Sequence, residues 1–170
     1  MMMRSGVKTW LLVLALVFGC LVTLASAEPG RDIKILGLSL SSKLSDIEAK
    51  FGTDHVKGKV QDTFDYFWSE PDLLVSARGE TVLRIVGDKV SIDGKKMAAG
   101  DVTFASLREL LGKPIAKYHG QHGEPCYVWS GGFQAMSYEG ANAESPSHFV
   151  LTTRPEIHGD DPITAPVKTR

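Results

Sequence analysis

The sequence is nearly without cysteine: it has two, Cys20 and Cys126, in 170 residues. Cys20 falls in the apolar opening of the chain, so the remainder holds Cys126 alone and forms no internal disulfide. An exported domain usually has cysteines in pairs, and this one must rest on its core instead. There is no excess of either charge, with 19 basic against 20 acidic residues. No basic stripe appears, which argues against a nucleic-acid partner. There is no polybasic patch for an anionic membrane surface. No Gly-x-Ser-x-Gly, P-loop, His-Glu-x-x-His or dinucleotide fingerprint occurs. The acidic pairs Glu70/Asp72 and Asp160/Asp161 fall at a turn and in a tail. The chain is therefore expected to be a non-enzyme that needs no cofactor.

What is present begins with a leader. Arg4 and Lys8 make a short basic start, Trp10 to Leu24 is almost wholly apolar, and Ala25-Ser26-Ala27 follows. Basic end, apolar core and small-residue site are the plan of a secretory signal peptide over residues 1–27. Cleavage after Ala27 leaves Glu28 first and predicts a periplasmic or secreted protein without a membrane span. Two alternatives stand: a lipid anchor at Cys20 within Val17-Phe18-Gly19-Cys20, and an uncleaved anchor, for which the run is short. Loss of the leader removes two basic residues and no acids, leaving 17 against 20.

The strongest signal is internal repetition. Tyr66, Trp68, Ser69, Ser76 and Gly79 match Tyr127, Trp129, Ser130, Ser137 and Gly140 at a constant offset of 61, and Gly52 and Gly112 are 60 apart. A fixed offset over that length points to duplication. Residues 28–95 form the first predicted repeat and 96–153 the second, sharing one domain. Each opens with a short helix, 42–52 or 103–112, ending in a glycine suited to helix termination. Ser42 and Thr103 are the expected N-caps. Leu44, Ile47 and Phe51 share one helical face, as do Phe104, Leu107 and Leu111.

Three strands follow each helix. In the first repeat these are 64–69, 73–78 and 81–86; in the second, 126–130, 134–138 and 148–152. Residues 53–61 and 115–124 read as loops. Outside the repeats, 33–36 and 90–92 are short strand candidates, with Asp93-Gly94 a turn. Residues 154–170, with three prolines and little that is apolar, read as a disordered tail. The fold class is α+β: about six antiparallel strands in one sheet, with both helices on one face.

Leu-Gly-Leu-Ser-Leu (36–40) before a helix ending Phe51-Gly52, the Tyr-x-Trp-Ser strands and Leu110-Leu111-Gly112-Lys113-Pro114 together resemble the β-lactamase inhibitor protein fold. They also resemble the single-copy units of small outer-membrane assembly lipoproteins. The similarity spans 36–86 and 100–152. It implies a binding protein, an inhibitor or accessory factor, that grips another protein or envelope macromolecule with its open sheet face.

The candidate contact residues are Tyr66, Trp68, Tyr127 and Trp129, since Tyr and Trp dominate interface hot spots. On the helix-facing side these rings would be core instead. Arg78 and Arg84 lie opposite the apolar stripes Leu73/Val75 and Leu83/Ile85 and mark the expected open face. A weaker pattern, His119-x-x-His122-x-Glu124-x-Cys126, carries metal-ligand residue types. Its spacing matches no helical pair and no second cluster accompanies it, so incidental loop histidines and an inert thiol are the plainer reading. A periplasmic metal carrier is the corresponding alternative function.

Overall fold

Strand alternation sorts the apolar residues onto two sides of one large sheet, and that sorting positions everything else. The computed structural model describes residues 30–120 and 123–153. The expected leader and tail, and His122, lie outside them. The elements below belong to the unit that begins at Arg31.

In chain order they are β1 (Ile33–Ile35), α1 (Leu44–Phe51), β2 (Val56–Val60), β3 (Thr63–Trp68), β4 (Leu73–Arg78) and β5 (Thr81–Gly87). Then come β6 (Lys89–Ile92), β7 (Lys95–Ala98), α2 (Phe104–Leu111), β8 (Ala116–His119) and β9 (Pro125–Val128). A single 3-10 turn (Ser130–Gly132) leads into β10 (Phe133–Met136), and β11 (His148–Thr152) is last. Eight strands form one antiparallel sheet in the order β2-β3-β4-β5-β11-β10-β9-β8, and β1-β6-β7 form a second, three-stranded sheet. The molecule is thus α+β with antiparallel sheets. The middle pair is β5 and β11, which align Ile85 with Leu151 and Val86 with Val150.

The large sheet has two more strands than the sequence suggests, β2 and β8, one at each edge. Both lie in stretches that read as loops. Val56-Lys57-Gly58-Lys59-Val60 has too few apolar residues to look like a buried strand. Edge strands favour such a composition, because lysine there discourages pairing with other chains. The small sheet also gains β7, paired to β6 around the Asp93-Gly94 turn. Strand β5 carries an irregularity: Ser76 faces Arg84 but Ala77 faces Val82. Leu83 is therefore the extra residue, and Val82 takes the inward place that simple alternation gives to Leu83.

One side of the large sheet carries the main core. Leu73, Val75, Val82, Ile85, Phe133, Phe149 and Leu151 pack there against Leu44 and Ile47 of α1 and Phe104 and Leu107 of α2. Ile35, Val90 and Ile92 bring the small sheet into the same core. Gly87 makes room for it, since a Cβ at that position would stand 2.9 Å from Ile35 Cγ2.

The helices are short, at eight residues each, and would be marginal without this packing. Their N-termini are held by loops from the sheet. The Leu44 amide donates to the Glu80 carbonyl (3.2 Å), and the Phe104 amide to the Glu144 carbonyl (2.9 Å). At α2, Thr103 accepts from the Ser106 amide while Ser106 Oγ accepts from the Thr103 amide, a reciprocal cap. At α1 the expected cap by Ser42 is not formed. The cap residue is Lys43, without a side-chain bond, and Ser42 Oγ accepts from the Ser39 amide in the preceding turn. Glu80, in the β4–β5 turn, takes over: its carboxylate accepts from the Ser45 hydroxyl (2.8 Å) and the Ser45 amide (3.1 Å). A carboxylate at a helix N-terminus also suits the helix dipole.

Two outcomes follow from the caps. Thr103→Ala is expected to cost about 1 kcal/mol, read as a lower chemical-denaturation midpoint with unchanged slope. The Ser45 hydroxyl, then the Ser45 amide, with help from Lys43, hold the Glu80 carboxyl below its ordinary range. A folded-state value below the unfolded one gives stability that is present above the unfolded pKa and lost as pH falls through the folded one. Glu80→Gln is therefore expected to lower the melting temperature at neutral pH. The gap from wild type should close as pH is taken down through Glu80's lowered titration range.

Candidate functional site: the two faces of the sheet

The aromatic pairs lie on the helix side. Trp68 and Trp129 are 1% and 3% exposed, and Tyr66 is buried beside them. The Trp68 indole donates to the Gly52 carbonyl at 2.9 Å, and the Trp129 indole to the Gly112 carbonyl at 3.0 Å. Those carbonyls belong to the residues that close α1 and α2, so each tryptophan ties a helix end to the sheet. Tyr127 is half-buried against the same core, 4.9 Å from the Phe104 ring. The reading of Tyr66, Trp68 and Trp129 as partner contacts is corrected accordingly. Their rings fill the layer between sheet and helices, and little of their surface is left for a partner.

Each edge strand adds a lysine to this arrangement. Lys57 lies in register with Tyr66, with its ammonium 5.0 Å from that ring and 4.3 Å from the Phe64 ring. Lys117 lies in register with Tyr127, 5.0 Å from its ring. Such cation–π seats cover the outer aromatics with a solvated charge. His55 closes the first half, edge-on to Tyr66 and Trp68 and 3.1 Å from Glu48 Oε1.

The opposite face has a different character: its apolar cluster includes no residue of α1 or α2, and its centre is buried, with Cys126, Val128 and Val150 each 1% exposed. Arg78 and Arg84 do project to this side, as expected. Arg78 is exposed and ion-paired with Asp62. Arg84 is half-buried between Ser76 and Thr152 in the register. At the centre, Val86, Cys126, Val128, Met136 and Val150 form a second apolar cluster, with Leu74, Ala116 and Tyr118 packed around it. Toward the rim the apolar surface is exposed: Val56 71%, Phe67 39%, Val60 38% and Tyr138 52%. Val56 and Phe67 are direct cross-strand partners. Sequence reading passed over Val56, Val60 and Phe67. The available signal was the alternation of valine with lysine in 56–60, which puts the valines on one face and the lysines on the other.

The histidine–cysteine pattern is not assembled by the described residues. Tyr118 pairs with Cys126 and His119 with Pro125, so His119 and Cys126 project to opposite faces. Cys126 is buried, with its sulfur 3.8 Å from Gln134 Oε1. His119 Nδ1 lies 3.1 Å from the Gly123 carbonyl, within the loop. No group of three or more potential ligands converges among the described residues. Also among the described residues, no helix is long and apolar enough to cross a membrane.

No protein-family model, curated protein or solved structure matches this chain.

Because the tryptophans are structural, Trp68→Phe and Trp129→Phe should each destabilise by about 1–2 kcal/mol, leaving a helix-terminal carbonyl without its donor. Denaturant titration of each single variant and of the pair measures this. The losses should be nearly additive, since the two ties serve different helices.

Proposed function

We propose that this is an exported, non-enzymatic binding protein that grips a macromolecular partner with the helix-free face of its eight-stranded sheet. The observation that carries the reading is the division of labour between the faces. Both helices, the small sheet and all four Tyr/Trp rings are committed to one side. The other side keeps exposed apolar residues, Val56, Val60, Phe67 and Tyr138, with exposed Arg78 and half-buried Arg84 on the same side. Exposed large apolar side chains gathered on one face of a folded domain support an interaction site there.

The proposal includes descent from a duplicated helix-and-sheet unit. The strand order reads the same inward from either edge, β2 to β5 and β8 to β11. Several contacts recur in both halves. Trp68 bonds to Gly52 and Trp129 to Gly112. Lys57 covers Tyr66 and Lys117 covers Tyr127. Leu44 bonds to Glu80 and Phe104 to Glu144. Recurrence of polar contacts that depend on local geometry supports a common origin more strongly than matched apolar positions do. The unit is a helix followed by four strands, one more than the sequence pattern suggests.

Export rests on the leader, residues 1–27, and places the partner in the periplasm, the envelope or the medium. Val56→Lys with Phe67→Lys is the direct test. Both sites are exposed, so the melting temperature should hold within about 2 °C, as for surface substitutions within about 0.5 kcal/mol. A partner co-purified from the envelope or medium of the producing cell should bind the variant at least tenfold more weakly. Retained affinity would remove this face from the account.

A further inference from the structure

A second surface, away from the large sheet's free face, has its own chemistry. The small sheet, the end of α1 and one side of α2 enclose an open hollow of about 960 Å3. Leu36, Val90, Met97, Val102, Leu107 and Leu110 supply its apolar lining. Five lysines also line it: Lys34 from β1, Lys50 from α1, Lys89 from β6, and Lys95 and Lys96 from β7. Asp101 is the one acidic residue among its lining.

The charges are only partly balanced. Lys34 pairs with Asp32 at 2.7 Å, and Lys89 is 4.0 Å from Asp88. Lys50 donates to the Leu36 carbonyl at 2.9 Å, which holds its ammonium at the wall. Lys95 and Lys96 are exposed and form no ion pair among the described residues. Lys34, Ser91 and Lys96 stand in register across three strands. They share one face, with two ammoniums flanking a hydroxyl, and neighbouring strands lie about 4.8 Å apart.

Protection of a sheet edge accounts for lysine on β7. It accounts equally for Lys34 on β1, the other edge of the small sheet, but not for Lys89 on the central strand β6 or Lys50 on α1, which line the same hollow. Like charges gathered at a concave apolar surface raise the local concentration of an anion. Apolar lining with a few convergent polar groups is the make-up of a small-molecule site, and the volume is within the usual range.

We infer that this hollow binds a single-chain anionic amphiphile of the fatty-acid class. Its carboxylate sits among Lys34, Ser91 and Lys96, and its chain lies on Leu36, Val102 and Leu110. The site is separate from the face assigned to the macromolecular partner, and neither reading depends on the other.

Calorimetric titration with sodium dodecanoate, below its micellar concentration, tests this on the protein purified from its producing cell as processed there. Saturable one-to-one binding is expected. Dodecyltrimethylammonium, with the same chain and opposite charge, should bind at least tenfold more weakly, and acetate should not compete. Lys34→Glu with Lys96→Glu should weaken dodecanoate binding at least tenfold at an unchanged melting temperature. Lys59→Glu with Lys113→Glu, an equal charge change elsewhere, should leave it intact. If the first pair does not fold, Lys96→Gln alone should show a weaker loss in the same direction. The inference is overturned by absent saturation, by equal losses in both lysine pairs, by competition from acetate, or by binding to phosphatidylglycerol vesicles without binding of monomeric dodecanoate.

Discussion

Two hydrogen bonds set the geometry of this protein: an indole N–H on each half of the sheet, donating to the carbonyl that ends each helix. A helix of eight residues has little stability of its own, and its last carbonyls lack partners. The tryptophan supplies both remedies, burying a large ring under the helix and satisfying its end. Strand alternation then leaves no choice for the neighbours. With Trp68 inward, Tyr66 and Phe64 follow it inward, and Phe67 must face away. The same bond in the second half sets Tyr127 and Trp129 inward and sends Cys126 and Val128 to the other side. What the protein can offer a partner is thus decided by where its tryptophans are needed.

That constraint also explains what was legible beforehand. The two glycine-terminated helices, most central strands and the facing of Arg78 and Arg84 follow from periodicity and turn chemistry, which are local. The facing of the Tyr/Trp pairs is not local. Alternation puts Tyr66 and Trp68 together but does not say on which side, and only the helix-terminal carbonyls decide. Strands β2 and β8 were hidden because an edge strand has one neighbour and tolerates lysine and glycine, as in 56–60. The α1 cap was hidden because it comes from Glu80, far along the chain, whereas the α2 cap at Thr103 is written within four residues. Leu83 was misplaced by a bulge, which shifts alternation by one residue without any change in composition.

The functional consequence is a molecule with two distinct surfaces. The helix-free sheet face is apolar, with Val56, Phe67 and Tyr138 exposed toward its rim, and is the face proposed for a macromolecule. The lysine-lined hollow beside the small sheet is smaller and strongly cationic, suited to an anionic small molecule. The small sheet links them physically: Ile35 and Val90 belong to the shared core, while Lys34 and Lys96 look outward from the same strands.

The most direct measurement of the central claim is photocrosslinking in the producing cell, with a photoreactive amino acid placed singly at Phe67 and, separately, at the exposed helix position Asp46. The account predicts one discrete macromolecular adduct from position 67 and none from position 46. Adducts from position 46 alone, or none from position 67 while the protein is folded and exported, would contradict it.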